Sequence, residues 1–118
     1  MGYEKDILAS RHAPLISQIK ELKRIFNDDV ELVIDPKPFS SAKELAERYR
    51  SSDCSDIIVV APLSVIQHLI DDEGIHPLWA EMEQVSDKSL SEVTVNGRYY
   101  RFVKFKRVKA VRLELEDL

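Results

Sequence analysis

Ile57-Ile58-Val59-Val60-Ala61-Pro62-Leu63-Ser64-Val65-Ile66-Gln67-His68-Leu69-Ile70 decides how the rest of the chain is read. Its first five residues form an unbroken apolar run, mostly β-branched, which suits a strand covered on both faces. Pro62 then fits a helix start, where its missing N–H costs nothing. Leu63, Ile66, Leu69 and Ile70 recur at helical spacing, and Gly74 supplies a C-terminal stop. A buried strand followed at once by an amphipathic helix is the unit of a parallel sheet, because parallel neighbours need a crossover between them.

The same unit occurs twice upstream. Asp6-Ile7-Leu8-Ala9-Ser10 is short, apolar and barely alternating, and Pro14 again opens a helix. Leu15, Ile16, Ile19, Leu22, Ile25 and Phe26 mark one face of that helix up to the break at Asn27-Asp28-Asp29. Glu31-Leu32-Val33-Ile34 is the next strand, stopped by Asp35-Pro36-Lys37-Pro38. Ser41-Ala42-Lys43-Glu44 has capping-box spacing, and the helix it opens turns Ala42, Leu45, Ala46 and Tyr49 inward. Downstream, Pro77–Met82 reads as a fourth strand. Asn96-Gly97 marks a hairpin, since both positions of a type I′ turn need positive φ. Val93-Thr94-Val95 then pairs with the chain from Tyr99 onward. Val111, Leu113 and Leu115 alternate with Arg112, Glu114 and Glu116, the pattern of a terminal strand with one face covered.

This order predicts an α/β fold: a three-layer Rossmann-like sandwich with a mostly parallel sheet and a C-terminal antiparallel hairpin. The hairpin extends one edge of the sheet or pairs with a second copy, so a homodimer is expected. With 118 residues the chain is one domain, 1–118, and 44% apolar against 32% charged residues is a globular composition. Cys54 is the single cysteine, which excludes an intramolecular disulfide and a cysteine-based zinc site; it reads as a structural thiol. The N-terminus has no apolar run of signal-peptide length, and Asp6 stands where a myristoylation motif needs Ser or Thr. No stretch approaches the ~18 apolar residues of a membrane span. The chain is therefore expected to be cytoplasmic, with no membrane partner.

In open parallel sheets, ligands bind beyond the carboxyl ends of the strands, at the point where strand order reverses. Those ends bring Ser10-Arg11-His12, Asp35 with Lys37, and Pro62 with Ser64 towards one region, with the first and third strands flanking the switch. Ser10-Arg11-His12 precedes a helix start, where free N–H groups favour an anion. The dipole supplies only ~0.3–1 kcal/mol, so Arg11 would be the main phosphate contact, with His12 as donor or acid/base. The alternative is that Ser10 or His12 caps the helix while Arg11 pairs with a carboxylate. Ser64 and His68, one turn apart, are further ligand-binding candidates, although no orienting acid is evident for a Ser-His pair. Glycines occur only at Gly2, Gly74 and Gly97, too few for a glycine-rich phosphate cradle. This argues against a conventional NAD or ATP enzyme, and no cofactor is expected. The three histidines lack metal-ligand spacing, so no metal site is expected either.

The net charge of −4 hides an asymmetry. Arg98, Arg101, Lys104, Lys106, Arg107, Lys109 and Arg112 fall in one stretch free of acidic residues, leaving 10 of the 17 basic residues with all 21 acidic ones, a balance of −11. A basic ribbon on an acidic body can attract nucleic acid, bind a protein subunit, or dock on its own body. Arg98, Arg101, Lys104, Lys106 and Arg107 are its nucleic-acid-binding candidates.

Ile7-Leu8-Ala9-Ser10-Arg11-His12 resembles the strand-then-Arg-His start of the histidine phosphatases, but Ala13 replaces the glycine that follows there and the domain is shorter. The segment looks more like the start of small CRISPR-associated accessory proteins with a Rossmann-like fold, whose first strand ends in a Thr/Ser-Arg-His turn. Ile57 to Leu69 resembles their later strand and Pro-containing helix; Ala13-Pro14 stands in place of Pro-Gly. The resemblance, over about the first 80 residues, implies binding or ring-nuclease-like cleavage of cyclic oligoadenylate. It also implies metal-independent chemistry at Arg11, His12 and Ser10.

Overall fold

The computed structural model describes residues 6–10 and 14–118. β1 (Asp6–Ser10) is buried from Ile7 to Ser10: parallel neighbours pair with both its edges, and Ile7 and Leu8 enter the cores on opposite faces of the sheet. α1 (Ile16–Phe26) begins two residues after Pro14. The start is fixed instead by Gln18, whose side-chain Oε1 accepts the Leu15 N–H at 3.0 Å. Pro14 is thus outside the first turn where the sequence put it. The expected apolar face is also narrower than its residues suggested. Leu22 is fully buried, whereas Ile16, about 120° around the helix at 100° per residue, is 74% exposed.

β2 (Glu31–Asp35) follows Asn27, which takes the positive φ that ends α1. α2 (Ala42–Ser51) is capped by Ser41, whose hydroxyl accepts the Glu44 N–H at 3.1 Å. The reciprocal arm of the box is shifted by one residue: the Glu44 carboxylate accepts from the N–H and hydroxyl of Ser40 at 2.8 and 2.7 Å. These bonds, with Arg48 adding its charge at 2.5 Å, hold the Glu44 carboxyl below the usual carboxylate range.

β3 (Asp56–Ile58) is shorter than the apolar run from Ile57 to Ala61. Its ladder to the next strand rests on one pair, Ile58 with Leu78, after which Val59 still donates to Leu78 O at 3.3 Å. Val59 is apolar because it is buried, not because it is in a ladder; Val60 is 53% exposed. α3 (Leu63–Asp71) buries Ile66, Leu69 and Ile70. It closes through Gly74 at φ +67°, with Gly74 N–H donating to Ile70 O and Ile75 N–H to Leu69 O.

β4 (Leu78–Val85) runs three residues beyond the expected strand. β5 (Val93–Val95) and β6 (Arg98–Arg107) join at Asn96-Gly97, with φ of 51° and 75°, the expected type I′ geometry. The expected terminal strand at Val111–Leu115 is absent. β5 pairs only with Arg98 to Tyr100 of β6, and after Arg107 the chain leaves the sheet rather than turning back along the rest of that edge. Val108 donates to Pro77 O at 3.0 Å, and Val108 and Val111 pack on the core while Leu113 and Leu115 stay exposed.

Among the described residues the sheet has six strands in the order β2-β1-β3-β4-β6-β5, parallel through β4 and antiparallel beyond it. One core lies beneath α2 and α3, built on Leu8, Leu45, Ile57, Val59, Ile66 and Leu69. The other lies beneath α1, built on Ile7, Leu22, Val30, Ile58 and Leu78. The result is a mixed α/β fold whose sheet curls into a half-barrel. A register shift between Glu81 and Met82 in β4 marks a local irregularity, of the kind that bends and twists a strand.

Candidate cleft at the strand switch point

β1 sits between β2 and β3, so strand order reverses at its carboxyl end. That end, at Ala9 and Ser10, opens into a cleft of about 620 Å3. Pro14, Leu15 and Gln18 of the α1 entry form one side; Ile58 and Val60 of the β3 exit, Trp79, Ala80 and Met82 of β4, and Val93 and Val95 of β5 form the others. In the sheet, β5 lies four strand positions from β1, about 19 Å apart if the sheet were flat. Only a curled sheet lets both line one cleft. The Ser17 hydroxyl bonds to Glu92 and Gln18 Nε2 lies 3.8 Å from Met82 Sδ, which ties α1 across the concave side.

The lining is mainly apolar, with Trp79 at 46% and Val95 at 49% exposure despite their size. Ser10, 4% exposed, lies at the base of the first strand's exit. Arg11 and His12 lie outside the described residues. The two residues that flank their segment, Ser10 and Pro14, both line the cleft.

The other sequence candidates do not converge there. Asp35 closes a local turn by accepting the Lys37 N–H at 3.1 Å and lies 3.6 Å from Arg48. The Lys37 carbonyl accepts from the same Arg48 at 3.1 Å. These contacts pin the loop between β2 and α2. Ser64 and His68 line a separate cavity of about 550 Å3 between α2 and α3, together with Ser40, Ser41, Lys43 and Asp72. His68 Nδ1 is 2.7 Å from Asp72 Oδ2, an exposed pair one helical turn apart. Ser10 and Ser64 thus line two separate cavities, with α1 on one face of the sheet and α2 and α3 on the other.

Three of the ribbon's seven cations are tied to carboxylates of the same chain. Arg101 pairs with Glu83, and Lys106 with Glu81 at 3.0 Å, both across the β4–β6 ladder. Arg107 makes a bidentate contact to the 6% exposed Asp56 carboxylate, 2.6 Å on each arm, and donates to His76 O at 2.9 Å. Hydrogen bonding to Asp56 raises the Arg107 pKa above its ordinary value. Among the described residues, Arg98 and Lys104 have no carboxylate partner.

Gln18, Trp79, Met82 and Val95 were not identified from sequence as cleft residues. Apolar side chains in strands carry no mark of lining a site rather than a core. The exposure of Trp79 and Val95 comes from the curl, which no local pattern encodes. Among the described residues no cluster of three or more His, Cys, Asp or Glu side chains could hold a metal, and no helix is long and apolar enough to cross a membrane. Comparison with family models, curated proteins and solved structures returns no match for this chain.

Proposed function

We propose that this chain binds a phosphate-bearing nucleotide at the carboxyl ends of its parallel strands. The base occupies the apolar cleft and the phosphate meets Ser10-Arg11-His12. The observation that supports this most is the position of the cleft: it opens at the switch point, on the two residues that bracket Arg11 and His12. Its volume, about 620 Å3, and its apolar walls suit one nucleotide unit rather than a dinucleotide cofactor. In this reading the β1–β4 half is Rossmann-like, with the hairpin added as a wall.

Cyclic oligoadenylate is the substrate class that the first segment's resemblance suggests. In its metal-independent cleavage, the ribose 2′-oxygen attacks the adjacent phosphorus and the bond to the 5′-oxygen breaks, leaving a 2′,3′-cyclic phosphate. The 2′-hydroxyl proton passes to His12, with Ser10 as the alternative relay. The departing 5′-oxygen takes up a proton, and Arg11 stabilises the phosphorane charge.

The test is incubation with cyclic tri-, tetra- and hexa-adenylate in EDTA, followed by chromatography. Linear products from the parent, absent with a folded Arg11→Ala variant, support cleavage. Binding without conversion limits the chain to a nucleotide sensor, and no binding overturns the reading. The basic hairpin supports a nucleic-acid module less well, because Arg101, Lys106 and Arg107 already meet carboxylates of the same chain.

A further inference from the structure

We infer that Gln18 reads the base in this cleft, donating from its Nε2 amide to an acceptor atom of the ring; the inference rests on the nucleotide reading above. A glutamine amide has a donor end and an acceptor end, and what it selects depends on which end faces the ligand. Here the backbone settles the matter. The Leu15 N–H, which has no helix carbonyl to meet at the start of α1, points at Gln18 and requires a carbonyl opposite it, so Oε1 is committed to the cap at 3.0 Å.

The NH2 end is therefore turned away from the cap. Its one partner among the described residues is Met82 Sδ at 3.8 Å, and a thioether is a weak acceptor. Gln18 is half-buried and lines the cleft beside Trp79, Met82 and Leu15. A donor this poorly satisfied among apolar groups gains most from a ligand that brings its own acceptor. A flat heterocycle does so: its faces suit Trp79 and the valines, and its ring nitrogens or carbonyls suit the amide. A ligand that is purely apolar, or that presents only donors at that edge, leaves the NH2 unpaired. The chemical class is thus a nucleobase with an acceptor directed at α1.

Gln18→Glu separates this role from the capping role. Glutamate at the same position still accepts the Leu15 N–H, so the helix start survives, but its second oxygen replaces the donor that faces the cleft. Trp79 is the single tryptophan of the chain and lines the cleft, so its fluorescence reports occupancy. The full chain and the variant are titrated with AMP at 0.1 and 0.5 M salt, followed by Trp79 fluorescence and by calorimetry, after thermal melts compare their folding.

We expect saturable binding by the parent and at least tenfold weaker binding by the variant at both salt concentrations, with melting unchanged. Repulsion between the new carboxylate and the phosphate is screened by salt, whereas loss of a short-range hydrogen bond is not. A variant that binds within threefold of the parent, or whose loss vanishes at 0.5 M salt, overturns the role of Gln18 alone. A parent that shows no saturable signal by either method overturns the nucleotide reading, and this inference with it.

Discussion

The two halves of the sheet are stabilised by different physics. In β2-β1-β3 and the three helices around it, apolar burial dominates. Every buried apolar residue among those described lies at or before Leu78. From Trp79 to Leu118 none is buried. That half is held by the β4–β6–β5 ladder, by cross-strand ion pairs, and by contacts such as Phe102 on Phe105 at 4.9 Å. The Cα radius of gyration, 15.5 Å against about 13.5 Å for a compact domain of this length, fits a core with a projecting wall. The wall contributes little burial, and it gives the cleft its far side. Asp56 to Arg107 is the ion pair that joins the wall to the core strands.

The largest expected effect tests the burial contrast directly. Leu69→Ala removes a fully buried side chain from the core beneath α2 and α3 and should cost about 3 kcal/mol. Val95→Ala on the wall should stay within about 0.5 kcal/mol. Urea midpoints with unchanged slopes are the measurement, and equal losses at both sites would break the comparison. Next comes the joint between the halves. Asp56→Asn leaves Arg107 without its counter-charge; breaking a fully buried pair costs about 3–5 kcal/mol. Arg107 is 41% exposed at the side chain, so solvent screening lowers the expectation to about 2 kcal/mol. Faster amide exchange in β6 than in β1 would locate the damage at the joint.

The sequence carried the first half well because its rules are local. Unbroken apolar runs identified β1 and the β3 region, helical spacing identified α1 to α3, and Asn96-Gly97 identified the hairpin from backbone sterics alone. The order of strands then placed Ser10 at the switch point. What stayed hidden was set by tertiary geometry. The curl that brings Val95 towards Ser10 is a property of the whole sheet. Val111, Leu113 and Leu115 alternate like a strand, yet Val108 and Val111 pack on the core beneath α2 and α3 and carry the chain off the sheet, which alternation alone does not encode. The ribbon's cations were legible as a patch, but their carboxylate partners on β4 and β3 were visible only once strands had been paired.

Two glycines sharpen the comparison with smaller effects. Gly74 and Gly97 have similar positive φ, 67° and 75°, and a Cβ at either meets nothing within 4 Å. Alanine at each should therefore cost the same backbone strain, about 1 kcal/mol. Any difference in the measured loss reports on cooperativity rather than on sterics. If the hairpin opens on its own before the core unfolds, Gly97→Ala will speed local exchange in β5 while leaving the urea midpoint nearly unmoved. Gly74→Ala, at the end of a core helix, will move the midpoint. Equal midpoint shifts would mean that wall and core unfold as one unit.

The smallest effect is a pH dependence confined to the core half. The Glu44 carboxyl is held low, first by the Ser40 backbone N–H, then by the Ser40 hydroxyl and Arg48. A group with a lowered folded pKa binds its proton more readily when unfolded. Its contribution is therefore complete above the ordinary glutamate pKa of about 4.3 and is lost as pH falls from there through the lower folded value. Glu44 is half-buried at the start of α2, and Glu44→Gln isolates its contribution. Parent and variant should differ in urea midpoint at pH 7 and converge near pH 3. A gap that persists in acid would show that the Glu44 side chain acts through packing. It would also remove the charge from the account of how α2 begins.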